Sequence, residues 1–130
     1  MGTLYQILGL YGLLVIVTIL IQVLAAGAQV GIDKLVGNRE DMPDLTGAAF
    51  RLDRAQANSV FAMALFAPAV IILQSSGHAP ANALLAAQIF LIARVFYLLI
   101  YWAGIPWART LIWLVGFVMT LWLYLMPLIG

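Results

Sequence analysis

Four apolar stretches, Leu4 to Ala26, Ala48 to Leu73, Ala81 to Ala103 and Trp107 to Ile129, take up most of this chain. Each is close to the ~20 residues that a helix needs to cross the hydrocarbon core of a bilayer. A single run of this length in lipid must satisfy its own backbone amides and carbonyls, which leaves the α-helix as its form. The sequence therefore predicts an all-α, integral membrane, up-down-up-down four-helix bundle that occupies residues 1–130 as one transmembrane domain. Composition agrees, because a soluble domain of 130 residues could not hide a chain that is 65% hydrophobic and only 8% charged. The first stretch ends in Ala26-Gly27-Ala28, which resembles a signal-peptidase site. No Lys or Arg precedes it and the run is too long for an ordinary signal core, so a retained first helix is expected.

The few charges are unevenly placed, and that asymmetry predicts an orientation. Lys34, Arg39, Arg51, Arg54 and Arg109, with all the acidic residues, lie in or beside the first and third connections. Lys and Arg favour the cytoplasmic side, so the loops at 27–47 and 104–108 are expected there. Both termini and the uncharged turn around Ser75 to Ala79, with its lone solvated His78, fall on the other face. A net charge of +1 offers no polybasic patch for nucleic acid, and the absence of cysteine excludes disulfides, thiolate metal sites and a cysteine nucleophile. Membrane lipids and a hydrophobic small molecule remain as expected partners.

Local features refine the picture. The loop from Gln29 to Gly47, with Gly37-Asn38-Arg39-Glu40-Asp41-Met42-Pro43-Asp44 inside it, reads as a solvated connection. Thr46 is placed to cap the second helix through its hydroxyl. On that helix Ala55, Ala62 and Ala69 recur at seven-residue intervals, with Ala57 and Ala64 beside them, a stripe suited to the crowded centre of a bundle or oligomer. Pro68 should bend the helix. Gly104 to Arg109 is so short that the third and fourth helices must be antiparallel neighbours, and Trp102, Trp107, Trp122 and Tyr124 suit headgroup depth.

Two helical faces are polar where lipid-exposed helices are not. Arg51, Arg54 and Asn58 fall within about 60° of one another on the second helix, and Arg94, Tyr97 and Tyr101 repeat the same three-then-four spacing on the third. An arginine as deep as Arg94 costs at least ~2.5 kcal/mol to insert, so it requires partners in the bundle or a wet cavity. Three outcomes are open: a structural ion pair with Asp53, snorkelling of Arg94 toward the interface, or a cationic pocket that the residues of both faces share with Arg109 near the cytoplasmic interface. Such a pocket suits a carboxylate-bearing ligand, which guanidinium groups bind bidentately.

The stretches Arg51-Leu52-Asp53-Arg54-Ala55-Gln56-Ala57-Asn58, Gly37-Asn38-Arg39-Glu40-Asp41, and Ala93-Arg94-Val95-Phe96-Tyr97 through Tyr101, Gly104-Ile105-Pro106 and Arg109 resemble the MAPEG family, the membrane-associated proteins in eicosanoid and glutathione metabolism. The likeness covers the whole chain and is to a bacterial-type member. It implies a homotrimer of four-helix subunits that binds glutathione between neighbours from the cytosolic side. By similarity Arg54, Asn58, Arg94, Tyr97, Tyr101 and Arg109 match ligand and catalytic positions, with an arginine or tyrosine hydroxyl stabilising the thiolate. The second-helix motif departs from the family's Arg-Ala-His-x-Asn-x-x-Glu-Asn: Gln56 replaces the histidine, Phe61 the glutamate and Ala62 the asparagine. A phenyl ring supplies neither charge nor acceptors to the ammonium of a γ-glutamyl group. The resemblance thus implies a glutathione-dependent transferase or peroxidase acting on lipophilic electrophiles, and the departures imply a lipid-binding or accessory subunit that keeps the fold.

Overall fold

A computed structural model describes residues 3–37, 43–77 and 79–129. Arg39, with the rest of the 38–42 stretch, and His78 lie outside the described residues. Four long helices are present: α1 (Leu4–Val30), α3 (Gly47–Ser76), α4 (Ala81–Ala103) and α5 (Pro106–Ile129). Each is long and apolar enough to cross a membrane. A short α2 (Ile32–Val36) sits inside the first connection.

The element boundaries correct the sequence reading in three places. Helix α1 runs to Val30 rather than Ala26, because glycine at 27 is accommodated in the helix and the chain turns only at Gly31, whose φ of 94° leaves the helical region. The connection is not plain loop, since α2 occupies part of it. Thr46 makes no side-chain cap. Its hydroxyl and carbonyl instead accept from the Gln29 amide at 3.3 and 3.1 Å, and its own amide donates to Gln29 Oε1 at 2.9 Å. The end of α1 is thus clasped to the start of α3.

Packing follows the chain order in pairs: α1 lies mainly against α3, and α4 mainly against α5. The core joins the pairs through Tyr11, Phe66 and Phe90. Phe66 and Phe90 stack at 4.0 Å, and Tyr11 meets them edge-on at 6.0 and 5.0 Å, the offset arrangement that ring quadrupoles favour. Ala83, Ala86 and Ala87 bring α4 close to this cluster. The outer faces, such as Leu13, Ile16, Leu20 and Leu24 on α1 and Leu114, Val118, Leu121 and Leu125 on α5, are exposed and apolar. Large apolar faces of that kind are covered by acyl chains in an integral membrane protein.

Pro68 lies inside a continuous α3. It has no amide to offer Ala64, and its ring crowds the preceding turn. The next carbonyl, that of Leu65, accepts the Tyr124 hydroxyl, so Tyr124 is bonded within the bundle rather than reserved for headgroups. Trp122 is likewise partly packed on the core, whereas Trp102 and Trp107 are exposed.

At the end carrying Arg51 and Arg109, α4 closes with Gly104 at φ 80°, its amide bonded to the carbonyls of Ile100 and Tyr101 at 3.0 Å. A left-handed residue here lets the chain reverse into α5 at once. At the opposite end, Tyr5 and Ser75 share a 3.3 Å hydrogen bond between α1 and α3.

Candidate functional site

The three-then-four spacing on α4 and the tight turn into α5 together build a column with a cation at each end and two rings between them. The Arg94 guanidinium carbon lies 4.1 Å from the centre of the Tyr97 ring. Tyr97 meets Tyr101 edge-on at 5.5 Å. The Arg109 guanidinium, on the first turn of α5, lies 4.7 Å from the centre of the Tyr101 ring. Four of the residues singled out in the sequence therefore form one stack that runs from the helix end toward the bundle interior. Each stack of cation on ring orients a guanidinium without consuming its N–H donors.

Arg94 is the buried end of that column, with only 2% of its surface exposed. It does not pair with Asp53, contrary to one of the outcomes the sequence left open. Asp53 turns toward α1, where its Oδ1 accepts from Gln22 at 3.3 Å and from Gln56 at 3.1 Å. Arg94 donates from Nη2 to the Ser59 hydroxyl at 3.3 Å, and the Tyr11 hydroxyl stands beside the guanidinium. Its Nε is enclosed and has no acceptor. Asn58 Oδ1, on α3, is likewise enclosed and has no donor among the described residues.

Two crevices open along this column between α3 and the α4–α5 pair. The shallow one, about 240 Å³, is lined by Asn58, Tyr97, Tyr101, Arg109, Thr110 and Trp113. The longer one, about 320 Å³, begins at the shared residues Asn58 and Trp113 and continues past Arg94. Its walls are largely apolar, with Phe61, Leu65, Phe90, Phe117 and Leu121 among them. A polar mouth thus leads into an apolar trough with one cation in its wall. Both crevices belong to the size range of small-molecule sites or just below it.

The remaining sequence candidates lie elsewhere. Arg51 donates from Nε to the Trp102 carbonyl at 3.1 Å and packs against Gly104, so it ties α3 to the end of α4. Arg54 is exposed and lines neither crevice. Ala62 lines the trough, Ala55 and Ala69 are buried in the bundle, and Ala57 and Ala64 are exposed, so the alanine stripe divides among three environments. Phe61 stands at the trough with 72% of its surface exposed.

Ser59, Tyr11 and Trp113 were not anticipated as neighbours of the site. A serine in a membrane helix is ordinary, since its hydroxyl can bond the preceding turn, and here it does so with Ala55 at 2.8 Å. Only the spacing of Ser59 five residues after Arg54, on the opposite side of the stripe, could have hinted that it meets α4.

The fold and this column define a multi-pass integral membrane protein with a helical-bundle crevice. A family model described as the MAPEG family matches residues 5–129, nearly the whole length, and the chain belongs to that family. No curated protein and no solved structure matches it. Family membership places it among membrane proteins of glutathione and eicosanoid metabolism.

Proposed function

We propose that the protein is a glutathione-dependent transferase or peroxidase for lipophilic electrophiles, working as a homotrimer with the column open to the cytosol. The observation that carries this reading is the unsatisfied donor of Arg94. A cation 98% removed from solvent, with an idle Nε and no carboxylate opposite it among the described residues, is costly unless an anionic partner completes it.

The residues present fit glutathione in part. Arg94 and Arg109 offer donors to carboxylates, and Asn58 Oδ1 offers an acceptor to an amide N–H. Among the described residues no acid lines the trough for the ammonium group, because Phe61 stands there and Asp53 faces α1. The cosubstrate supplies a thiolate nucleophile. Arg109 and the Tyr101 hydroxyl, together at the mouth, hold and orient it by donating hydrogen bonds to the sulfur, which lowers the cost of the charged form. The apolar trough positions the electrophile next to that mouth and excludes water from it.

A second reading has its own observation. The exposed Phe61 ring extends the apolar wall where the family motif carries an acid, which favours a lipid held without chemistry. Calorimetric titration of glutathione into the purified protein in nanodiscs separates the two. Saturable binding that Arg94→Ala abolishes, with the oligomer intact, supports the enzyme. Absence of binding to the wild type, or an Arg94→Ala variant that falls apart into monomers, supports the lipid-binding or accessory role.

A further inference from the structure

We infer that Ser59 is a positioning residue for Arg94, and that its hydroxyl fixes the plane of the guanidinium in the wall of the crevice that takes the anion. The proposal rests on the reading of the crevice as an anion site.

The geometry is specific. Ser59 is 1% exposed and lies where α1, α3 and α4 meet. Its hydroxyl has a single hydrogen, and that hydrogen is committed to the Ala55 carbonyl at 2.8 Å. With the donor used, the oxygen can only accept, and it accepts from Arg94 Nη2 at 3.3 Å. A hydroxyl that already donates is polarised and becomes a better acceptor, so the Arg94–Ser59–Ala55 chain is mutually reinforcing. The backbone of Ser59 is held too, because its carbonyl accepts the Tyr11 hydroxyl at 2.8 Å from across α1. A guanidinium is planar and rigid. Fixing Nη2 at Ser59 and laying Cζ over the Tyr97 ring determines its plane and leaves Nε as the enclosed donor without a partner. With alanine at 59, the cation would keep the Tyr97 ring and the Tyr11 hydroxyl beside it but lose the acceptor that holds Nη2.

Two measurements test this, and one needs no ligand. The side-chain nitrogen signals of Arg94 are observed by nitrogen-15 NMR in detergent and assigned by their loss in Arg94→Lys. In the wild type and in Ser59→Thr, which keeps the hydroxyl, the Nη signals stay separate because rotation of the group is hindered. In Ser59→Ala they merge. The second measurement is glutathione titration: Ser59→Ala weakens binding about tenfold, the loss expected for one hydrogen bond to a charged group, and Ser59→Thr restores it. Tyr5→Phe is the packing control, since it removes the bond to Ser75 between α1 and α3 at the opposite end of the bundle; it lowers the melting temperature and leaves the Arg94 signals separate. Separate Nη signals in Ser59→Ala, or identical behaviour of Ser59→Ala and Tyr5→Phe, overturn the inference. If the wild type binds no glutathione, the functional reading fails, while the NMR comparison still decides whether Ser59 positions the arginine.

Discussion

A guanidinium enclosed in protein beside two hydroxyls and one ring, with no carboxylate opposite it among the described residues, is an expensive arrangement, and the expense is what makes Arg94 informative. Its position ten residues before the end of an apolar run is visible in the sequence, and so is the need for company. Which company was not visible. Asp53 was a reasonable partner by charge, yet it lies on the α1 side of α3, where two glutamine amides satisfy it. Ser59 was hidden because its residue type carries no charge and its local bond to Ala55 looks complete. The residue-scale prediction concerns Phe61. If the trough receives a zwitterionic thiol, Phe61→Glu places an acceptor within reach of its ammonium, and glutathione affinity measured by calorimetry rises several-fold, in keeping with ~1 kcal/mol for a partly solvated charge pair. Unchanged or weaker binding speaks for the lipid-binding role. Arg54→Ala, by contrast, alters this affinity little, because the exposed side chain lines neither crevice.

At the scale of elements, helix existence was legible and helix interplay was not. The four long runs announce themselves by length and hydropathy. The short α2, the extension of α1 to Val30 and the Gln29–Thr46 clasp belong to turns and contacts between the end of α1 and the start of α3, which no periodicity encodes. Pro68 illustrates the same division. Its disruption of α3 is predictable from ring chemistry, whereas the Tyr124 hydroxyl at the adjacent Leu65 carbonyl comes from a helix distant in sequence. Tyr124→Phe should therefore destabilise the protein by about 1 kcal/mol, the usual contribution of one such bond. In a double-mutant cycle with Pro68→Ala the two changes should couple, because restoring the amide at 68 lets the turn close over its own carbonyls. Additive melting shifts for the pair would mean that the Tyr124 bond and the proline are unrelated.

For the whole molecule, the apolar outer faces and family membership make it a multi-pass membrane protein, and the orientation and trimer follow as proposals. Reporter fusions at Asn38 and Ala108 are expected on the cytoplasmic side and fusions at Gly77 and Gly130 on the other. A cytoplasmic Gly77 reverses the bundle and moves the column's mouth away from cytosolic glutathione. Native mass spectrometry in mild detergent should show trimers, weakened by Ala64→Leu, since Ala64 is exposed on α3 and bulk there pushes a neighbour's backbone away. Monomers alone would remove the shared-site part of the proposal. One further consequence comes from the bond between Arg51 and the Trp102 carbonyl. The closing carbonyls of a helix carry roughly half a negative charge, and α4 ends beside the crevice mouth, while α5 begins there with roughly half a positive one. A cation fastened to the α4 carbonyls cancels the repelling pole and leaves the attracting one uncovered. Arg51 thus shapes the field through which an anion arrives without touching it, so Arg51→Ala should slow anion association and flatten its dependence on ionic strength more than it changes the dissociation rate.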